Sequence, residues 1–472
     1  MTSSNKKAHF IGICGAGMSA VAKLLVDYGW QVSGSDDNFY PPVSEYIKKH
    51  NITFKKGYDS KNIPADAEFV VVGKHALLRP EENREVRAAF SLGVPVRSFP
   101  EVLGELSRGK ENIVVAGSYG KSTCAALISW CLEHAGKSPS YFIGAIPNTP
   151  ADSAKKGSGS TFVLEGDEYP SSNWDTSSKF LHYNPRHLLL TSLAHDHLNV
   201  FKTHDEYQAP FFRLISLLPK DGLIAACADG EGVKEALSKC GLEKQTVFYS
   251  TKNDANWNIS NVNLGGTSSF DVLHDSKKIV NIRTSLLGYH NFENILGAAA
   301  LLLSLEMVTP GQFASAIADF KALNRRLDKK SYKTVVPFYE GFGSSYAKTR
   351  AAIEAVKAHF PDKKLVVVFE PHAFSWRIRD TLGWYDDVFE GAWRTFIYKP
   401  PSGGEITLED IVNRVKGAGY YAEGFDEVKE GVGLLQRDAN RDSVVLVLSS
   451  GGFDGFIDLA VKWLEQKFPK IY

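Results

Sequence analysis

Twice in this chain an apolar run ends in a cluster of glycines and restarts at once as a helix-forming stretch. The first is AHFIGIC, leading into Gly15-Ala16-Gly17-Met18-Ser19-Ala20. The second is NIVVA, leading into Gly117-Ser118-Tyr119-Gly120-Lys121-Ser122-Thr123. Strand, glycine turn and helix in that order form the building unit of a parallel sheet with helices on its faces. Backbone N–H groups at such a turn, together with the helix N-terminus, can close around phosphate oxygens. The chain is thereby committed to α/β architecture with two candidate phosphate-binding turns.

The same alternation continues around both turns. In the first part, WQVSGSD, FVVVG and VPVRS read as strands, and MSAVAKLLVDYG, SEYIKKH and EENREVRAAFSLG as helices. After the polar connector SRGKEN the pattern restarts, and TFVLEGDEY, HLLLTSLAHDH, GLIAACADG and TVFYS read as further strands. An Ala/Leu-rich helix follows GYHNFEN. From Lys329 onward VVPFYEGF, LVVVFEP, TFIYKP and SVVLVLSSGG read as strands, alternating with helical stretches such as YAKTRAAIEAVKAHF and FIDLAVKWLEQKF. A chain of 472 residues exceeds what one hydrophobic core organises. The expected fold class is α/β with three domains: a Rossmann-like domain over 1–109, a central P-loop ATPase-type domain with a mostly parallel sheet over 110–328, and a Rossmann-like α/β domain over 329–472.

Composition narrows the function classes. Lys+Arg and Asp+Glu both number 54, so the formal net charge is zero. That argues against binding nucleic acid or an anionic membrane through bulk electrostatics. The apolar run near Leu296–Leu305 is shorter than the ~20 residues a membrane-spanning helix needs. No secretory signal follows MTSSNKK, so a cytoplasmic protein is expected. The five cysteines, Cys14, Cys124, Cys131, Cys227 and Cys240, are odd in number and contain no CxxC, so buried free thiols are expected.

The second glycine turn carries the strongest chemical signal. Lys121 supplies a cation for the β/γ-phosphates, and Ser122 a hydroxyl for magnesium. The pattern is a shortened form of G-x-x-x-x-G-K-[ST]. The bland alternative is a strand–helix turn that needs glycine for its backbone angles. Downstream, strand Thr161–Leu164 ends in Glu165-Gly166-Asp167-Glu168, and HLLLTSLA ends in His195-Asp196-His197. Acids and imidazoles thus gather at strand ends, where α/β ligand sites lie. Like charges this close resist ionising together unless a cation compensates them. Either cluster alone reads equally as solvated loop charge. Magnesium prefers oxygen ligands, and local spacing lacks the further ligands of a zinc site. Two such clusters after one phosphate loop favour a metal–ATP site.

Other motifs stay open on their residues alone. Gly15-Ala16-Gly17-Met18-Ser19-Ala20 with Asp36 about 20 residues on fits a dinucleotide fold, hence NAD or any nucleotide diphosphate. Gly288-Tyr289-His290-Asn291-Phe292-Glu293-Asn294 can cap its helix or read a base edge. Asn324-Arg325-Arg326 is a solvated turn or a phosphate clamp. Glu370-Pro371-His372 and Ser449-Ser450-Gly451-Gly452-Phe453 sit at strand ends of the last part.

Taken in order, GICGAGMSAVA, GSDDNFYPPVS, VAGSYGKST, EGDEY, SKFLHYNPRHLLLTSLAHDHLNVF, GYHNFEN, NRRL, FEPH and SSGGFDGF resemble the Mur ligases, ATP-dependent amide-forming enzymes of bacterial peptidoglycan synthesis. The resemblance spans nearly the whole chain. The stretch SKFLHYNPRHLLLTSLAHDHLNVF is similar to the recycling and alanine-adding branches, and SSGGFDGF to the recycling branch. The resemblance implies ATP and Mg²⁺ as cofactors, UDP-N-acetylmuramate as the carboxylate substrate, and an amine that is a tripeptide or L-alanine. It also implies an acyl-phosphate intermediate, and a protein that is a monomer or weak homodimer.

By the same carry-over, Lys121, Glu165, His197 and Arg326 are implied as catalytic. Gly117, Ser118, Tyr119, Gly120, Lys121, Ser122 and Thr123 would hold the phosphates. His290, Asn291 and Asn294 would lie near the adenine, Arg326 near the γ-phosphate and Glu340 near ATP. Ser122 would sit on one metal ion, and Glu165 and His197 on a second. Gly15, Ala16, Gly17, Met18, Ser35 and Asp36 would approach the uridine nucleotide.

The chain departs from the family where relatives carry Asp-Asp-[FY]-[AG]-His-His-Pro. It reads Glu340-Gly341-Phe342-Gly343-Ser344-Ser345-Tyr346, without the histidines, the proline and one acid. Ser192 and Asn199 stand where relatives often have asparagine and aspartate. Two rival readings remain: an NAD-dependent oxidoreductase, which leaves Lys121 and the acidic strand ends without a role, and a nucleotide-binding relative that no longer catalyses.

Overall fold

Strands form where the apolar runs are longest, because a strand covered on both faces needs side chains that can be buried on both. Phe69–Val72 is buried at all four positions, as are Thr161–Glu165, His187–Leu190 and Ile224–Cys227. The computed structural model describes residues 6–39, 43–197 and 200–470, so Asn199 lies outside the described residues. Packing divides the chain into two compact units. One holds the chain up to Ser260 with Asp271–Asn281 and Glu293–Ile317; the other holds Asn261–Phe270, Ile282–Phe292 and the chain from Ala318.

The first unit contains a five-stranded, wholly parallel sheet in the order Thr53–Lys56, Gln31–Asp36, Lys7–Ile11, Phe69–Val72, Val96–Arg97. The order reverses at Lys7–Ile11, the strand that feeds the first glycine turn. Helices start where the sequence offers caps. Asn83 accepts from the N–H groups of Glu85 and Val86, and Ser98 with Glu101 forms a capping box before Phe99–Leu106.

The second sheet is built around the strand of the phosphate loop. Glu111–Ala116 lies between His187–Leu190 and Thr161–Glu165, parallel to both. The ends of the three strands therefore emerge side by side, which brings 165–168 and 195–197 to the loop at 117–120. Beyond His187–Leu190 the sheet continues through Ile224–Cys227 and Thr246–Ser250 to Trp257–Asn263, Ser268–His274 and Lys277–Thr284. These last three strands were not expected from the sequence. Ser268–His274 and Lys277–Thr284 form a hairpin over Asp275-Ser276, both at positive φ. That geometry belongs to a primed two-residue turn, which the sequence usually announces with glycine. On the other side of the phosphate-loop strand come Thr161–Glu165, Ser140–Phe142 and Ala154–Lys155, the final pair antiparallel.

The second unit is a six-stranded sheet in the order Arg326–Lys329, Phe338–Gly341, Ser443–Leu448, Lys364–Phe369, Arg394–Tyr398, Ala422–Phe425. Only the first pair is antiparallel, and it carries a bulge between Arg326 and Asp328. Two buried clusters cover this sheet, one around Tyr339, Ile353, Trp376 and Leu446, the other around Phe338, Phe396, Val447 and Phe456. Among the described residues no helix is long and apolar enough to cross a membrane; the Ala/Leu-rich one is Tyr289–Ser304. Cys124, Cys131 and Cys227 are buried free thiols, whereas Cys14 and Cys240 are partly exposed.

Candidate active site

The phosphate loop is built as a tight junction between strand Glu111–Ala116 and helix Lys121–His134. Gly120 caps the helix at φ +80°, and a Cβ there would sit 2.5 Å from Asn294 Oδ1. The position thus requires glycine both for its left-handed backbone and for the close approach of Asn294. Thr191 Oγ1 donates to the Tyr119 carbonyl (2.6 Å), and Ser118 Oγ to that of Ala194 (2.6 Å), so the neighbouring strand end shapes the loop.

Two carboxylates close the site. Glu165 accepts from Ser122 Oγ at 2.8 Å and from the Gly144 N–H at 2.6 Å. Glu168 is fully buried and pairs with Lys121 Nζ at 2.9 Å and His197 Nε2 at 3.0 Å. That hydrogen bond to Glu168 raises the His197 imidazole above its ordinary range despite partial burial. His197, at φ +57°, also meets the Tyr169 hydroxyl through Nδ1 at 3.0 Å. Asp167 forms a 2.5 Å pair with Lys179; burial works against its ionised form, but Lys179 outweighs that and holds it below the carboxylate range.

Sequence reading placed Glu165 and His197 together on one ion; here each has its own partners, and the residue joining His197 to the lysine is Glu168. It stood among the three strand-end acids without an assigned role; Tyr207, which the sequence reading did not single out, brings its hydroxyl to 2.9 Å from Ser118 Oγ. Ser122 Oγ and Glu165 are oxygen donors already in contact, which suits a magnesium ion retaining its waters. His195 Nε2 turns instead to the Phe201 carbonyl, 3.2 Å away. Elsewhere Cys227, Asp229 and Glu293 approach within 4.8 Å of one another, with Asp229 engaged by Ser250, Asn253 and the Thr251 N–H.

The first glycine turn is organised differently. Gly12 stands at φ +82°, where a Cβ would lie 2.6 Å from Leu78 Cδ1. Asp36, at the end of the adjacent strand, accepts from the Cys14 N–H at 2.9 Å and meets the Tyr58 hydroxyl at 3.4 Å. Burial first, and Asp36 second, push the Cys14 thiol up to about 12. Gly15 and Ala16 are exposed at the start of helix Ala16–Asp27, whose first N–H groups lack partners within the helix. Met18 points into the core instead, leaving only its backbone to the turn. Ser35 is likewise turned inward: its hydroxyl donates to the buried Glu85 at 2.7 Å, and Glu85 also meets His9 at 2.7 Å. A cleft lined by Ala16, Ser19, Tyr46, Ile143 and Gly144 joins the first turn to the residue whose N–H holds Glu165.

Asn294 is brought to the phosphate loop, where Cys124 Sγ lies 3.3 Å from its Oδ1. Asn291 donates to the Leu287 carbonyl at 2.7 Å, just ahead of its own helix, and His290 is exposed beside Gly288. Both belong to the second unit, as do Arg326 and Glu340. There Arg326 is exposed, and Arg325 is the arginine that engages Glu340, at 3.0 Å. Lys330 takes the other Glu340 oxygen at 3.1 Å. Arg325 also donates to the Gly451 carbonyl, and Ser449 to Glu370, so the 324–326 turn and the two strand-end motifs form one cluster.

Comparison with known proteins accounts for both turns at once. A model of the Mur ligase family catalytic domain matches residues 7–111, and one of the Mur ligase middle domain matches 115–302. The chain is 28% identical over 471 residues to the UDP-N-acetylmuramate–L-alanyl-γ-D-glutamyl-meso-2,6-diaminoheptandioate ligase of Escherichia coli, covering 98% of this chain and 99% of that one. It is 30% identical over 453 residues to the UDP-N-acetylmuramate–L-alanine ligase of Endomicrobium trichonymphae, covering 95% and 96%. Among solved structures, the UDP-N-acetylmuramate–alanine ligase of Thermotoga maritima shares the fold with a TM-score of 0.76 at 22% identity, over 98% of this chain and 99% of that one.

Proposed function

The chain belongs to the Mur ligase family of ATP-dependent, ADP-forming ligases, and from that premise we propose that it joins UDP-N-acetylmuramate to the tripeptide L-alanyl-γ-D-glutamyl-meso-diaminopimelate, in peptidoglycan recycling. The observation that supports this reading is a cleft lined by Ala16 of the first turn and by Gly144, whose N–H holds Glu165, the carboxylate that in turn accepts from Ser122 of the second. A sugar nucleotide whose diphosphate lies on the first turn can present its carboxylate toward the second. The amine is the one in the name of the E. coli relative, 28% identical over 98% of this chain.

The residues have distinct tasks in this reading. N–H groups of 15–18 hold the diphosphate, and Asp36 keeps that loop in shape. N–H groups of 117–123 with Lys121 hold the triphosphate, Asn294 lies against the loop at Gly120, Ser122 would hold one Mg²⁺, and Glu165 and His197 a second. Mg²⁺ held there would supply charge neutralisation at the phosphates, and the γ-phosphoryl group passes to the substrate carboxylate. Phosphoryl transfer asks mainly for positioning and charge neutralisation, and Lys121 supplies a fixed cation for both. The amine then attacks the acyl phosphate and phosphate leaves. His290, Asn291, Arg326 and Glu340 are assigned to ATP, the domain limits are taken as 1–109, 110–328 and 329–472, and the protein acts in the cytoplasm as a monomer or weak homodimer.

The alanine-adding reaction is the second reading, favoured by the 30% identity to the Endomicrobium enzyme. The altered segment Glu340–Tyr346 bears on the choice, since Glu340 is held by Arg325 and Lys330 and Phe342 stands exposed between Arg325 and Lys348. Purified protein with ATP, Mg²⁺ and UDP-N-acetylmuramate should release phosphate when tripeptide is added, and not with L-alanine. Turnover with L-alanine alone moves the assignment to the second reading. No turnover with either amine rejects both.

A further inference from the structure

Glu168 meets more partners than the reading above uses. It is fully buried, and three groups converge on it. Lys121 Nζ lies 2.9 and 3.2 Å from its two oxygens, His197 Nε2 3.0 Å and the Tyr207 hydroxyl 3.4 Å from one of them. Lys121 also donates to the Gly117 carbonyl at 2.6 Å and approaches that of Ser118 at 3.4 Å. The ammonium of the phosphate loop is thus saturated by its own protein. A buried carboxylate with no exposure is tolerable only with such compensation.

We propose that Glu168 is a positioning residue that competes with the nucleotide for Lys121. In the free site it holds the lysine and His197 at the loop, each ready to turn to the ligand. When phosphate oxygens arrive, the ammonium must divide its hydrogens between them and Glu168. The carboxylate therefore weakens nucleotide binding, by cancelling the field of Lys121 and by repelling the incoming charge. In return it keeps the lysine and the imidazole aligned for turnover. The proposal rests on the assignment of residues 117–123 to a nucleotide, and it predicts opposite signs for affinity and rate, which a purely structural role does not.

The test uses the full chain and ADP in the presence of EDTA, titrated by calorimetry. Glu168→Gln keeps the shape and the approach of Tyr207 but removes the charge. It should bind ADP about tenfold more tightly than the wild type, the size of effect that one nearby charge produces in a half-buried site. In the ligase assay its kcat should fall while its KM for ATP falls as well. Glu168→Asp retains the charge but draws it back by one methylene, and should bind ADP at least as tightly as the wild type with a lower kcat. If Glu168→Gln does not fold, the aspartate variant decides alone. Equal or weaker ADP binding by folded Glu168→Gln, or weaker binding by Glu168→Asp, overturns the proposal and leaves the nucleotide assignment standing. A wild-type protein that fails to bind ADP overturns both.

Discussion

The two glycine turns have the same strand–turn–helix plan, yet they are furnished with different side chains. The turn after Lys7–Ile11, Gly12-Ile13-Cys14-Gly15, carries no basic side chain. Its acid, Asp36, is spent on the backbone of Cys14, and what it offers outward is the N–H groups of a helix start. The turn after Glu111–Ala116 adds Lys121, Ser122 and two buried acids, Glu165 and Glu168. Backbone dipoles alone suffice to hold a diphosphate that is not to react. A phosphoryl group in transfer needs full charges, and these must be kept compensated while the site is empty. On the proposed function, the difference is that between a grip and a reaction centre.

Two substitutions and a labelling measurement break or sharpen this contrast. Lys121→Ala should produce the largest effect, a fall in ligase turnover of about 10²–10³, the usual scale for losing one preorganised charge at the reacting group. Binding of UDP-N-acetylmuramate by calorimetry should stay at the wild-type value; a parallel loss of both would show that the turns are not separable. Asp36→Asn should act on the other side only. It weakens the brace on the Cys14 N–H, so KM for the sugar nucleotide should rise about tenfold, the scale of one charge-assisted hydrogen bond, while ADP affinity is unchanged. The smallest effect concerns Cys14. With its thiol pushed up to about 12, the thiolate is scarce at pH 8, and iodoacetamide labelling followed by mass spectrometry should be slow and should speed up with rising pH. Asp36→Asn removes the contribution of the carboxylate to that shift, so labelling should become a few-fold faster at the same pH.

Legibility along the chain followed how local the signal was. The strand–turn–helix units and the acids after Thr161–Glu165 could be read because apolar runs and glycines act over a few residues. The hairpin at Asp275-Ser276 escaped, since its positive φ angles are held without glycine. Ser35 and Met18 show the limit from another side. Ser35 lies in the strand beside the turn and Met18 in the helix after it, but strand alternation and helix phase send their side chains to Glu85 and to the core. Arg325 and Arg326 are adjacent in the chain, and φ +64° at Arg325 together with the bulge after Arg326 decides which of them reaches Glu340. Nothing in the Asn-Arg-Arg triplet distinguishes them.

Sequence alone determined that the protein is α/β, that it carries two strand–glycine–helix turns, and that only the second bears a lysine. Those properties are written in neighbouring residues, because backbone freedom and side-chain chemistry at a turn are local. The tertiary structure alone decided that Glu168 rather than Glu165 holds Lys121, that Asn294 braces Gly120, and that Ser35 faces inward. Each of these pairs residues far apart in the chain, and which carboxylate becomes buried depends on how strands from distant segments are laid side by side.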